Sequence, residues 1–110
     1  MFRKAPALAV VCVLSIAPFA SAQSADKGKQ VYADQKCSIC HSIEGTGNKK
    51  GPLDGVGAKL SEADIRAWIT DAPAMAAKAK ADRKPPMKAY TTLAKSDVDA
   101  LVAYMASLKK

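Results

Sequence analysis

Phenylalanine is missing from everything beyond residue 22, histidine occurs once in the whole chain, and only two cysteines lie outside the apolar N-terminal run. The aromatic side chains left beyond residue 22 are Tyr32, Trp68, Tyr90 and Tyr104. A domain this small buries only about 60–65% of its unfolded surface, so with so few large apolar residues it needs a disulfide, a metal or a cofactor to hold its centre. No segment alternates apolar and polar residues as a half-buried strand does, which argues against a sheet-based fold. No second pair of cysteines or histidines follows the first, which leaves a four-ligand structural zinc site without its ligands. The lysines are scattered rather than gathered in a dense block, which argues against a nucleic-acid stripe.

What is present begins with a leader. MFRK is a short positive start, ALAVVCVLSIAPFA an apolar run broken by Pro18, and ASA at 20–22 a small-residue cleavage pattern. We read residues 1–22 as a secretory signal, with residues 23–110 as one domain. A retained anchor is the alternative, and the run is short and interrupted for a bilayer span of about 20 residues. Cys12 would leave with the leader, and Val11 before it does not fit a lipoprotein attachment site. Of the 17 Lys and Arg, Arg3 and Lys4 belong to the leader, leaving 15 against 10 acids and a formal charge of +5. Such a balance makes a soluble surface and can steer the molecule toward an acidic partner.

Helix signals dominate the domain, which reads as all-α. Helix formers run from 25 to 38, and the glycine-rich stretch 42–60 reads as a loop with turns. Ser61 with Asp64 predicts a capped helix start, Pro73 opens another helical stretch, and Pro85 and Pro86 close it. Ser96 and Asp99 predict a second capped start. After it, Val98, Leu101, Val102, Met105 and Leu108 form one apolar stripe, followed by Lys109 and Lys110 at the negative end of the helix dipole.

The chemistry concentrates at CSICH, residues 37–41. At about 100° per residue, positions 37, 40 and 41 of a helix share one face, so two thiols and an imidazole project together. A thioredoxin-like dithiol wants a preceding strand, and a plain Cys37–Cys40 disulfide closes too short a loop to stabilise much and leaves His41 unexplained. Cys-x-x-Cys-His is the pattern of c-type haem attachment, and composition alone would produce it on the order of once in a thousand chains of this length. The thiols add across the porphyrin vinyl groups and His41 reaches the iron.

His41 would ligate through Nε2, so Nδ1 must keep its proton and find an acceptor. The Gly51-Pro52-Leu53 stretch offers a carbonyl at Pro52, which also reads as an ordinary turn residue. The remaining axial position has three candidates. Met105 belongs to the apolar stripe, Met75 sits just after Pro73, and Met87 follows two prolines that hold it on a stiff, non-helical segment.

With CSICH, GPL at 51–53, Trp68, PPM at 85–87 and the closing LVAYMASL in place, nearly the whole domain resembles a small monohaem class I cytochrome c of the bacterial periplasm. The resemblance implies a cytochrome c fold: four to five short helices around one covalently bound haem, the first and last helices crossing. Gly28 and Tyr32 would pack there on Leu101 and Tyr104. It implies one haem c bonded to Cys37 and Cys40, with His41 and Met87 on the iron, Pro52 accepting from His41, and Trp68 donating to a haem propionate.

A His/Met pair leaves no iron position for a substrate, so the expectation is a periplasmic one-electron carrier, a monomer and not an enzyme, with no nucleic-acid partner and no membrane insertion once the leader is cut. Its partners would be redox proteins with acidic docking surfaces, met by Lys36, Lys49, Lys50 and Lys88. Two other expectations remain: an electron-accepting haem subunit of a larger dehydrogenase, and a haem enzyme or gas sensor in which Met87 is labile.

Overall fold

The apolar stripe of the last helix finds its partner in the first. In the computed structural model, which describes the backbone of residues 19–110 and side chains from residue 24, helix α1 spans Phe19–Asp34 and helix α5 spans Lys95–Ser107. The expected leader up to position 18, Cys12 included, lies outside the described residues. Val98, Leu101, Val102 and Met105 of α5 are buried together with Val31 of α1, and Leu108 packs against them. A Cβ added to Gly28 would overlap the Ala100 carbonyl and the Tyr104 Cβ, so the two helix backbones meet where a side chain cannot fit. One turn on, the rings of Tyr32 and Tyr104 stand edge to face, centroids 5.9 Å apart at 75°. Such a pair adds about 0.5–1.5 kcal/mol beyond its buried area. The expected crossing of the first and last helices is therefore present, with Gly28 against Ala100 and Tyr104, Tyr32 against Tyr104, and Leu101 in the buried cluster beside them.

Gly28→Ala tests that crossing. Alanine gains about 1 kcal/mol of helix propensity, but overpacking against a backbone carbonyl that cannot turn aside costs about 1–3 kcal/mol or more. The net expectation is a melting temperature lower by roughly 5–10 °C. An unchanged melting curve would show that the helices do not touch there.

Between the crossed helices run the smaller elements: strands β1 (Ser42–Ile43) and β2 (Thr46–Gly47), then helices α2 (Val56–Lys59), α3 (Glu62–Thr70) and α4 (Ala72–Ala79). β1 and β2 pair antiparallel through Glu44 and Gly45, which both take positive φ, the arrangement a two-residue hairpin turn requires. Strands of two residues are too short to alternate, which is why the sequence reads there only as loop. α3 starts as expected, with the Asp64 amide donating to Ser61 Oγ at 3.1 Å. α4 carries its proline in the first turn, as Pro73 predicts. α3 contributes Ile65 and Ile69 to the core.

Three boundaries differ from the sequence reading. α4 ends at Ala79, where Lys80 turns left-handed (φ 54, ψ 38), so Pro85 and Pro86 do not close it. α1 stops at Asp34 instead of running to 38, because Lys36 takes a left-handed backbone (φ 57, ψ 38) that no α-helix continues through. α5 starts at Lys95 with Ala94 as its N-cap and no side-chain cap bond, so Ser96 already sits inside the first turn. Asp99 is engaged elsewhere: Arg66 on α3 reaches it at 2.7 Å and Lys95 at 3.1 Å. Those two donors, Lys95 first, hold the Asp99 carboxyl below the ordinary carboxylate range.

Candidate functional site

The core does not close on itself. None of the large side chains among the described residues is completely shielded, because the inner faces of α1, α3 and α5 surround a cavity of about 640 Å³. That volume lies within the ~300–1,000 Å³ of cofactor and ligand pockets. Ile65, Ile69, Leu101 and Met105 form apolar wall, Cys37, Cys40 and His41 enter from one segment, and Pro85, Pro86 and Met87 enter from another. Trp68 also lines it. Met75, half-buried on α4, does not.

The left-handed turn at Lys36 sets the geometry of the CSICH segment. Cys37–Ile39 is one turn of 3-10 helix, with the amides of Cys40 and His41 donating to the Cys37 carbonyl at 3.1 and 2.9 Å. At three residues per turn Cys37 and Cys40 eclipse each other, so the convergence expected from an α-helix arises from a tighter one. The hairpin that follows is latched beneath it: Asn48 donates from its amide to the His41 carbonyl at 2.9 Å and from Nδ2 to the Ile39 carbonyl at 3.0 Å.

His41 Nδ1 lies 3.0 Å from the Gly51 carbonyl. A carbonyl only accepts, so Nδ1 carries the proton and Nε2 keeps its lone pair. Burial pushes the His41 pKa below the ordinary imidazole range and the positive Arg83 adds to this, while Gly51 opposes it, with a net balance in favour of the neutral, ligating form.

The acceptor is thus Gly51 and not Pro52, which is exposed and off the cavity wall. The reason is strand geometry. Ser42 bridges Pro52 in parallel, its amide reaching the Gly51 carbonyl at 3.1 Å and its own carbonyl receiving the Leu53 amide at 2.8 Å. Alternation along an extended backbone turns the Pro52 carbonyl the other way, and a proline fits where no amide donor is needed.

Arg83 was not singled out by the sequence reading. Its Nη2 donates to the Cys40 carbonyl at 2.5 Å, and its guanidinium lies so close to Gly51 that a Cβ there would overlap both Arg83 and the Cys40 carbonyl. One signal was available: beyond the leader only positions 66 and 83 carry arginine in a chain that otherwise uses lysine.

Tyr90, whose side chain reaches Cys37, is fixed by its amide on the Ile69 carbonyl at 2.8 Å, and Lys88 Nζ sits 4.9 Å over its ring. Burial raises the Tyr90 phenol, as do the neighbouring thiols. The Cys37 thiol is raised by burial, against its own backbone hydrogen bond and Tyr90, which lower it. Tyr32, whose hydroxyl donates to the His41 carbonyl at 3.4 Å, is pushed up to about 12, first by burial and then by Cys37, Tyr104 and Asp54. Of the expected docking lysines, Lys36 and Lys88 edge the cavity while Lys49 and Lys50 are exposed away from it. Ile39, 66% exposed, stands next to the cavity mouth.

The donor set fits a metal carried in an organic ring. Among the described residues no three His, Cys, Asp or Glu side chains gather to hold a bare ion, whereas one imidazole, two thiols and the thioethers of Met87 and Met105 share an apolar cavity. No helix among these residues is long and apolar enough to cross a membrane.

The cytochrome c family model matches residues 25–109. A relative, cytochrome c oxidase subunit 2 of Alkalihalophilus pseudofirmus, is 31% identical over 94 residues, which cover 77% of this chain and 26% of that protein. The chain thus spans about a quarter of the length of the relative it matches. No solved structure matches.

Proposed function

This chain belongs to the cytochrome c family, and from that premise we propose that it is a periplasmic carrier of single electrons, built on one haem c. The observation that carries this reading is the convergence of Cys37, Cys40, His41 and Met87 on one apolar cavity, with Met75 off its wall. Cys37 and Cys40 would hold the group covalently, His41 would ligate through Nε2 with its tautomer set by Gly51, and Met87 would supply the sulfur from the Pro85–Pro86 segment. When bound, haem c supplies a reversible one-electron couple at its iron. The chain's residues do the rest: they exclude water, keep both axial positions filled, and move no proton or atom as one electron enters and one leaves.

A carrier must meet its partners at the cofactor's edge and release them quickly. Ile39 gives that edge a small apolar contact, and Lys36 and Lys88 beside it give a positive rim suited to acidic partners. Contacts of this kind are small and weak, and steering by exposed charge fades beyond a screening length of about 8 Å at physiological salt. We expect the second-order rate of electron exchange with an acidic redox protein to fall steeply with added salt. Lys36→Glu with Lys88→Glu should flatten that dependence, as stopped-flow spectroscopy would read. The same slope in the double variant would move the docking face elsewhere.

The direct test is a reductive titration of the purified holoprotein with carbon monoxide present. One electron per chain and slow carbon monoxide binding near neutral pH support the carrier. Rapid binding would make the chain a haem enzyme or gas sensor with a labile sixth ligand.

The oxidase-subunit relative favours a second reading, in which the chain is an electron-accepting haem subunit of a larger oxidoreductase. Purification from its natural source decides between them. A carrier is recovered alone and fully loaded, a subunit with its partner chain.

A further inference from the structure

We propose that Arg83 is a positioning residue for His41 and that its fixed charge sets the electron affinity of the site. The inference rests on the reading of His41 and Met87 as the axial ligands. Nη2 of Arg83 grips the carbonyl of Cys40, the residue before His41, at 2.5 Å. The other side of the same planar group lies against Gly51, leaving room for no side chain there. The Gly51 carbonyl in turn receives both the His41 ring at 3.0 Å and the Ser42 amide at 3.1 Å. One guanidinium therefore braces both backbone segments that decide where the imidazole points. Arg83 is also four positions ahead of Met87, so it ties the segment bearing the sulfur to the segment bearing the nitrogen, 43 residues earlier at Cys40.

Lysine would not substitute. It is a point charge on a flexible stem, whereas the guanidinium is a rigid, planar fork. Arg83 is only half-buried, so its charge is partly screened, yet it stands against the two backbone groups, the Cys40 carbonyl and Gly51, that flank the imidazole. The oxidised site carries one more positive charge than the reduced one, and a fixed cation nearby disfavours it.

Two readouts separate the two roles: the reduction potential, and the rate at which imidazole or cyanide displaces the sulfur ligand of the oxidised holoprotein. Arg83→Gln, which loses the charge and the fork, should lower the potential and speed displacement about tenfold or more, the scale of a hydrogen bond from a charged donor. Arg83→Lys, which keeps the charge, should hold the potential near that of the unmutated protein and still speed displacement. Unmoved values of both readouts in both variants overturn the inference, as does a change confined to the melting temperature. Faster displacement at an unchanged potential in Arg83→Gln overturns the electrostatic half. Should Arg83→Gln fail to load, Arg83→Lys decides alone, and unaltered displacement there overturns the positioning role. If the unmutated protein lacks a sulfur-to-iron charge-transfer band, the axial reading and this inference fall together. With the band present, the variants judge Arg83 by itself.

Discussion

Cys37→Ala combined with Cys40→Ala should yield a chain with no covalently attached pigment and little stable fold. The reason is the hole at its centre. At about 24 cal/mol per Å³, a dry cavity of 640 Å³ would cost on the order of 15 kcal/mol. That is an upper bound, since this one opens to water, but it matches or exceeds the whole 5–15 kcal/mol that holds an ordinary domain together. Neither the α1–α5 crossing nor the exposed ion pairs at Asp97 and Asp99 can offset such a deficit. Circular dichroism of the double variant should show most of the helical signal lost at 37 °C. Haem staining after denaturing electrophoresis should be absent, while either single variant keeps one thioether and some stain. The sharper control is the unmutated protein made with haem-attachment machinery. If acidified organic solvent strips all its pigment, or its mass is that of the bare polypeptide, the covalent reading is wrong.

Met87→Ala carries the second large effect. Met87 is the methionine on the cavity wall that no helix claims, since Met105 is 6% exposed within the α5 stripe and Met75 is off the wall. Removing its sulfur should abolish the sulfur-to-iron charge-transfer band and lower the reduction potential, because the neutral thioether favours the ferrous state. Carbon monoxide binding to the reduced protein should quicken by orders of magnitude as the position opens. Met75→Ala should leave the band, the potential and the binding rate alone. A band that survives in Met87→Ala and disappears in Met75→Ala would reassign the ligand and, with it, the role of the Pro85–Pro86 segment.

How much of this could be read without coordinates follows from the distance over which each feature is specified. The Cys-x-x-Cys-His spacing acts over five residues, so it brought both thiols and the imidazole together whether the turn was α or 3-10. The α5 stripe and the Ser61 cap are equally local, and both are as expected. The end of α1 was misplaced because a left-handed lysine leaves no trace in composition. Ser96 and Asp99 matched a capping pattern that is local, yet Arg66, more than thirty positions earlier, holds Asp99 instead.

The chain's spacing thus determined an all-helical domain with a starved core, one chemically loaded turn and a small choice of methionines, because periodicity, capping and covalent reach all act within a turn or two. Only the folded arrangement decided that the Gly51 carbonyl and not that of Pro52 faces the imidazole, and that Arg83 reaches across 43 positions to Cys40. Which way a peptide plane turns, and which distant cation arrives beside it, depends on how the segments pack against one another.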